Sequence, residues 1–390
     1  MNFDLNTEQK MLKDSARNFF SREADKEFIR EMENDEKGYS QKMWKKMARL
    51  GWMGLLVPEK YNGEEMGFLD MTVLLEEMGY ACLPGPFFST AVLSVITLLE
   101  SANEKQKKRL LPKIADGSQI ITLGWIEESG TYSGKGISAK AELKDDNYII
   151  SGTKLFVPDA NTADKIIVAA RTDNSPEDPD EGISLFVVDL KGDLKGDLKG
   201  DTNNKSINIE ALKTIRSDKL CEVTFKNTIV PKDNMLGEPG KGWETLNKVL
   251  LKAAVAKCAE MSGGAKRVLE MVVEYAKMRH QFGRPIGSFQ AIQHHCADML
   301  TFVDTSVYMT NMASWKINEG LPYEKEASIV KSWVSESYKK LVSIGHQVMG
   351  GVGFMEEFDL QLYFKQAKAC ELAYGDSDFH RELVAVEMGL

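Results

Sequence analysis

The chain has 390 residues, with 49 Lys and Arg against 58 Asp and Glu, for a formal net charge of −9. That length carries two or three domains, or one large composite fold, with ample core. The acidic balance excludes the broad basic face that nucleic acid requires. Hydrophobic residues at 43% and charged residues at 27% match an ordinary soluble globular protein.

The opening segment MNFDLNTEQK has no basic region followed by an apolar run, so no signal peptide is expected. The longest apolar-rich stretch, Phe87 to Leu99, is interrupted by Ser and Thr and is too short for a membrane span. Cys82, Cys221, Cys258, Cys296 and Cys370 lie far apart and are odd in number, which points to reduced thiols in a cytoplasmic protein.

Helices come first. Thr7 is positioned to cap one, with Glu8 in its first turn and Met11, Leu12, Ala16, Phe19 and Phe20 recurring at helical spacing. Further helices are predicted at Gln41–Leu50, Leu69–Tyr80, Thr90–Ser101 and Lys105–Asp116, punctuated by Pro58, Pro84 and Pro86. Near Ser118 the period changes. Ile120–Ile126, Tyr148–Ile150, Lys165–Arg171, Ile183–Leu190 and Cys221–Ile229 are short, rich in Ile, Val and Phe, and bounded by turn formers, which predicts strands of a β-sandwich or barrel. Asp189-Leu190-Lys191-Gly192 repeats as 193–196 and 197–200, and reads as an exposed hairpin loop. From about Gly240 the pattern is helical again, with an apolar stripe of Val268, Met271, Val272 and Tyr275 and further helices over roughly 324–345 and 359–372. Gly263-Gly264 inside the first of these patterns weakens a helix, so it is expected where another element packs closely.

Two segments carry chemistry. In Tyr275–Gln290, Arg279 stands at a helix end, followed by Gln281-Phe282-Gly283 and a restart led by Pro285. A fixed guanidinium, an amide and an aromatic side by side suit the pyrophosphate and base of a dinucleotide. The alternative is a helix–turn–helix corner with Phe282 and Phe289 in the core. In Gln347–Phe354, the glycines Gly350, Gly351 and Gly353 allow a backbone to approach a phosphate, although they follow a helix, unlike a Rossmann loop, and a plain helix C-cap is the alternative.

Taken together, these segments resemble the acyl-CoA dehydrogenase family: an arginine with Gln-Phe-Gly-x-Pro-Ile and then Phe-Gln, and later Gln-x-x-Gly-Gly-x-Gly. Smaller matches are Asn147–Lys154, Phe225–Pro231 and Asn234–Gly237. The resemblance covers essentially the whole chain. It implies an α+β fold with an N-terminal helical domain over 1–118, a middle β-sandwich or barrel domain over 119–238 and a C-terminal helical bundle over 239–390. It also implies FAD as cofactor, an acyl-CoA thioester as substrate and an electron-transfer flavoprotein as acceptor. Carried over residue by residue, Arg279, Gln281, Phe282, Gln290, Gln347, Gly350 and Gly351 would hold a flavin belonging mainly to a neighbouring subunit, and Phe156 would lie at this chain's own flavin ring.

The chain departs from the family where the reaction occurs. The family's usual base is a Glu near the C-terminus, and Tyr374 occupies its place. A phenol with an ordinary pKa near ~10 is a poor base at neutral pH. The other family position for a Glu falls on Ala253, beside Ala254. Asp376 and Glu127 are the candidates for a relocated base. The family's Trp-x-Thr over the flavin becomes Phe156-Val157-Pro158, and Asp376 and Asp378 add charge near the cofactor. The expectation is a subunit of a heteromeric enzyme, a heterotetramer with a second acyl-CoA dehydrogenase subunit. The alternatives are a self-sufficient homotetramer and a flavin-free scaffold. The ending around His380-Arg381 and the Pro84–Phe87 segment resemble members that act on bulky cyclic or steroid-like acyl groups. His294, His295 and Cys296 share a helix, on which adjacent residues point apart, and are not expected to bind metal.

Overall fold

A computed structural model describes residues 4–173, 178–191 and 205–390. Its helices are, in chain order, α1 (Thr7–Glu23), α2 (Lys26–Asn34), α3 (Gln41–Arg49), α4 (Phe68–Ala81), α5 (Val95–Ser101), α6 (Glu104–Ala115), α7 (Gly242–Met278), α8 (Gln290–Asn318), α9 (Glu324–Met349), α10 (Leu360–Leu372) and α11 (Ser377–Glu387). The strands are β1 (Ile121–Gly124), β2 (Lys140–Lys144), β3 (Asn147–Pro158), β4 (Lys165–Arg171), β5 (Ile183–Asp189), β6 (Ile207–Ala211), β7 (Leu220–Pro231), β8 (Met235–Leu236), β9 (His280–Gln281) and β10 (Arg284–Pro285). Residues 192–200 of the Asp-Leu-Lys-Gly repeat lie outside the described residues.

The chain forms two compact units. One comprises Met1–Glu31, Gly67–Leu83 and Leu251–Leu390; the other comprises Met32–Met66 and Pro84–Leu250.

The first unit is helical. Its α1 starts at Thr7, the expected cap, and is capped one residue earlier by Asn6. Asn6 accepts the Gln9 N–H at 2.8 Å, and the Gln9 side chain returns the bond to the Asn6 N–H at 3.0 Å, a closed capping box. Asn and Thr are both good cap formers, and the Gln three residues on completes the box only with Asn6. Helix α1 packs on α4 through Lys13–Glu76 at 2.8 Å and an Arg17–Glu77 pair. Helices α4 and α7 cross backbone to backbone: a Cβ placed on Gly79 would lie 1.8 Å from the Glu260 carbonyl oxygen, and one on Gly263 would lie 1.8 Å from that of Glu76. Gly264 faces the Tyr338 hydroxyl and Gln366, so both glycines are where a neighbouring element presses close, as the sequence predicted.

The second unit contains an eight-stranded sheet of order β6-β7-β3-β2-β4-β5-β8, with β1 added parallel to β4. Central β4 is buried over Ile166–Ala170, the continuous apolar run expected of a strand covered on both faces. Strand β3 is much longer than Tyr148–Ile150 because it continues through two register shifts against β7, between Ile150 and Gly152 and between Lys154 and Val157. The helix expected over 90–101 begins as a π-helix, Phe88–Ser94, before α5. The Ser94 hydroxyl donates to the Ser89 carbonyl five residues back and to Ile121 O, both at 2.8 Å, and Thr90 Oγ1 donates to Ile121 O at 3.0 Å. Side-chain donors thus take up carbonyls beside the wider turn.

Gly263→Ala tests the helix crossing. The added methyl cannot fit beside a carbonyl oxygen, and overpacking a rigid contact should cost about 3 kcal/mol. Chemical denaturation should show the midpoint fall; an unchanged midpoint would mean the crossing relaxes freely.

Candidate functional site

Helix α7 stops at Met278, and the chain turns through a two-residue hairpin. Gln281 pairs with Arg284 and His280 with Pro285, and Phe282 and Gly283 form the tip with φ of 53° and 78°. Two positive φ values define a type I′ turn. Glycine enters that region freely, whereas phenylalanine is strained there, as residues at ligand sites often are. Phe282 is 91% exposed, so the core reading of this residue is wrong. It meets the half-buried Phe289 edge to face at 6.1 Å, and Arg284 lies over the Phe289 ring at 4.1 Å. Arg279, Gln281 and Gln290 are all exposed. The Arg279 backbone is fixed by its N–H to Tyr275 O and its carbonyl to the Ile286 N–H, both at 2.8 Å, while its guanidinium has no hydrogen-bond or ion-pair partner among the described residues. Helix α8 then starts after Phe289 with no side-chain cap, leaving its first N–H groups available.

The second segment ends α9. Gln347 is exposed, and Gly350 turns the chain with φ of 62°. A Cβ on Gly351 would meet nothing within 4 Å and its φ is not positive, so nothing inside the chain requires glycine there. Gly353 differs, since a Cβ placed there would lie 3.1 Å from the side chains of His346 and Leu360. Phe354 is 71% exposed and stacks on His346 at 4.4 Å. No described hydrogen bond, ion pair or ring contact joins this turn to the Phe282 hairpin.

The third segment is the turn between α10 and α11. Tyr374 and Gly375 have φ of 60° and 97°. Asp376 is the N-cap of α11, its carboxylate accepting the Phe379 N–H at 2.8 Å. That bond gives one oxygen of the carboxylate a structural role, which weighs against Asp376 as a relocated base. Asp378 pairs with Arg381 at 2.8 Å, so the charge expected to repel a cofactor is balanced within the chain. His380 is buried, with Nε2 2.9 Å from Tyr374 O and Nδ1 3.3 Å from Ser328 Oγ. Burial pushes its pKa down to about 4 despite the carbonyl contact. Ala253 and Ala254 are fully buried, so the second base position holds only methyl groups.

In the other unit, Phe156 sits at the second bulge of β3 with φ of 53° and 52% exposure. Lys154, two residues earlier, is completely buried and reaches Glu127 at 2.5 Å. Glu127 also accepts from Ser138 N–H at 3.0 Å, from Ala139 N–H at 3.1 Å and from the Ser138 hydroxyl. Burial alone would raise its pKa, but Lys154 and these donors hold the carboxyl below its usual range. A carboxylate so fully engaged cannot collect a proton, and the relocated-base reading of Glu127 fails. The pair anchors the start of the 127–137 loop. Arg171 holds the rest, donating to Gly134 O at 2.9 Å, Ile137 O at 2.6 Å, Pro179 O at 2.6 Å and Glu181 O at 3.1 Å. Pro158 offers only its carbonyl, taken by Thr122 Oγ1 at 2.5 Å. The sequence reading missed Lys154, Arg171 and His380 as holders of these loops; Lys154 stood inside a quoted segment, but its partner is 27 residues away.

Three family models match in succession: the acyl-CoA dehydrogenase N-terminal domain over residues 6–118, the middle domain over 122–228 and the C-terminal domain over 240–389. The chain belongs to the acyl-CoA dehydrogenase family. It is 30% identical over 392 residues to cyclohex-1-ene-1-carbonyl-CoA dehydrogenase of Geobacter metallireducens, covering 97% of each chain. Butyryl-CoA dehydrogenase from Megasphaera elsdenii has the same fold, with a TM-score of 0.89 at 25% identity over 100% of both chains. A steroid ACAD structure matches with a TM-score of 0.83 at 26% identity, covering 98% of each. Family members are flavin-linked oxidoreductases, and this chain has the family's three-part architecture of helices, β-sheet and helices. No described helix is long and apolar enough to cross a membrane, and no group of three or more described His, Cys, Asp or Glu side chains could hold a metal.

The buried imidazole makes stability depend on pH. With a folded pKa depressed to about 4, His380 contributes stability that is complete above the unfolded value of ~6.5 and is lost as pH falls through the folded value. The full effect is on the order of 3 kcal/mol. The stability difference between wild type and His380→Gln should therefore shrink steadily from pH 7 to pH 4. A difference that stays constant with pH would show that His380 does not remain neutral in the fold.

Proposed function

We propose that the chain is a subunit of an FAD-linked acyl-CoA dehydrogenase whose flavin is shared between subunits, acting on an acyl-CoA thioester and passing electrons to an electron-transfer flavoprotein. The observation that carries this is the Phe282 hairpin. A strained aromatic, 91% exposed beside an unpartnered Arg279, makes no sense within one chain and suits a ligand held across an interface. The residues present match the demands of FAD. Arg279 and the open α8 N-terminus would face the pyrophosphate. Phe282 would cover an apolar face, Gln281, Gln290 and Gln347 would offer amides, and the open space around Gly350 and Gly351 would admit a close backbone approach. When bound, the flavin would accept the β-hydride of the acyl chain.

On the chain's own reacting side, Phe156 stands at the place of the family's flavin-covering residue, and the fixed 127–137 loop supplies its wall. Neither base position carries a carboxylate, and Glu127 and Asp376 are both engaged elsewhere. This favours a heteromer in which the partner supplies the base and the isoalloxazine pocket, and this chain supplies the Arg279 and Gly350 segments. The Asp378–Arg381 pair leaves less uncompensated charge than the sequence alone implied, which favours the homo-oligomer, and flavin stoichiometry separates the two. The cyclohexene-carbonyl relative and the steroid ACAD support bulky cyclic acyl groups as the substrate class. The buried free thiols of Cys82, Cys221, Cys258 and Cys370 support a reducing, cytoplasmic setting.

Arg279→Ala in the complete assembly should weaken flavin affinity by about 2–5 kcal/mol, as for a charged partner of a desolvated contact. Flavin retention equal to wild type on gel filtration would refute the assignment of Arg279.

The shared-site reading also fixes a ratio. The chain purified alone should be colourless and inactive, and co-expression with a base-bearing family member should give about one flavin per unlike pair. In that assembly Tyr374→Phe should lower kcat by less than about tenfold, under ~1.4 kcal/mol of barrier. One flavin per subunit with full activity in the chain alone would establish the homo-oligomer instead.

A further inference from the structure

The turn that presents position 374 is built around a cation that no part of the reaction described above uses. Lys331, on α9, is completely buried. Its ammonium makes three hydrogen bonds, to Gly375 O at 2.7 Å, Glu371 O at 2.9 Å and Ser335 Oγ at 3.1 Å. Three donors meet three acceptors, and none of the acceptors is a carboxylate. The Glu371 carboxylate itself is turned to Lys339 and Lys368. A buried charge without a counter-charge is costly, so its retention calls for a task. Glu371 O belongs to the last turn of α10, where unsatisfied carbonyls attract a cation. Gly375 O lies beyond the two residues with positive φ. Lys331 therefore grips both ends of the bend, His380 holds its centre at Tyr374 O, and Asp376 caps the next helix.

We infer that Lys331 is a positioning residue: with His380 it clamps the backbone of the 371–376 turn so that the side chain at 374 is presented in one orientation, whichever residue occupies that position. The clamp is a property of the fold and holds whichever subunit supplies the base in the proposed function. The groups facing the ammonium are Cys258 on α7, Cys370 and Glu371 on α10, Asp376 in the turn and His380 on α11. Burial outweighs the attraction of the thiols and carboxylates and brings the Lys331 pKa down to about 8. Above that pH the neutral amine has two N–H groups for the two carbonyls and a lone pair that can accept from the Ser335 hydroxyl, and such neutral hydrogen bonds are roughly half as strong as charged ones.

The test is hydrogen–deuterium exchange by mass spectrometry on the full chain in its flavin-loaded assembly, read peptide by peptide as protection relative to intrinsic rates. Lys331→Met keeps the length of the stem and removes every donor. Protection over residues 372–378 should fall about tenfold at pH 7, while peptides of α1, α4 and the β-sheet stay within about twofold. Steady-state kinetics on the same variant should show kcat and KM for acyl-CoA within about threefold, because the partner supplies the base. In wild type the same peptides should lose about threefold in protection between pH 7 and pH 9.5, a change absent from Lys331→Met. Unchanged protection over 372–378 in the variant, or an equal rise in exchange throughout the chain, would overturn the clamp. If the variant does not fold, flat wild-type protection across that pH range overturns it on its own. An assembly that turns over no acyl-CoA at all would instead overturn the functional reading, and the exchange measurements would still judge the clamp.

Discussion

A charge taken out of water must be given a full set of partners, and the loops this protein presents for chemistry depend on that constraint. Lys154 meets it with the carboxylate of Glu127, which is in turn saturated by Ser138 and Ala139. Lys331 meets it with backbone carbonyls and a hydroxyl, and Arg171 uses backbone carbonyls at the partly exposed end of β4. In each case the cation sits on a regular element, α9, β3 or β4, and at least one of its partners sits on an irregular segment. Irregular backbone has no ladder of its own to satisfy its carbonyls. A multidentate cation anchored on a rigid element therefore does for a loop what hydrogen-bond ladders do for strands, and it does so at a definite position.

The same reasoning separates what is finished in the single chain from what is not. The 127–137 loop and the 371–376 turn are held internally at several points. The hairpin at Phe282 and the turn at Gly350 are fixed in their backbones but leave their side chains and open faces toward solvent. Strain and apolar exposure at Phe282 both cost free energy that nothing within the chain returns. A binding partner or ligand is the ordinary source of that return, and the positive charge of Arg279 beside it narrows the ligand to something anionic and partly aromatic.

Much of this was legible in the sequence, for identifiable reasons. Helices α3, α4 and α6 and strand β4 matched their predicted spans within a residue or two, because periodicity and flanking turn formers agreed there. The glycines at 263 and 264 announced a close helix contact because nothing else justifies them in a helix. What failed depended on long-range partners. Gly152 reads as a strand breaker, yet β3 passes through it and runs on to Pro158 because β7 and the bulges accommodate it. The π-helical turn at 88–94 depends on where the Ser89 and Ile121 carbonyls lie. Within the candidate site, the Arg279 and Gly350 segments were visible as motifs. The roles of Glu127 and Asp376 were not, because a carboxylate engaged at an N-cap or by a buried lysine looks in sequence like a carboxylate free to act.

That last ambiguity bears on how a subunit of this family can lose its base and keep its fold. The backbone around position 374 is specified by Lys331, His380, Gly375 and Asp376, none of which is the residue at 374 itself. The turn therefore remains when the side chain it presents is changed from a carboxylate to a phenol, and the substitution removes proton abstraction without weakening the contacts that define the turn. In the proposed heteromer a neighbouring subunit would supply the chemistry, and selection on this chain would act on the surfaces it lends, the hairpin at 282 and the turn at 350, while the clamp persists because it closes the end of α10 and starts α11. Separating the positioning of a residue from its identity allows one scaffold to serve both as a catalytic subunit and as the complement of one.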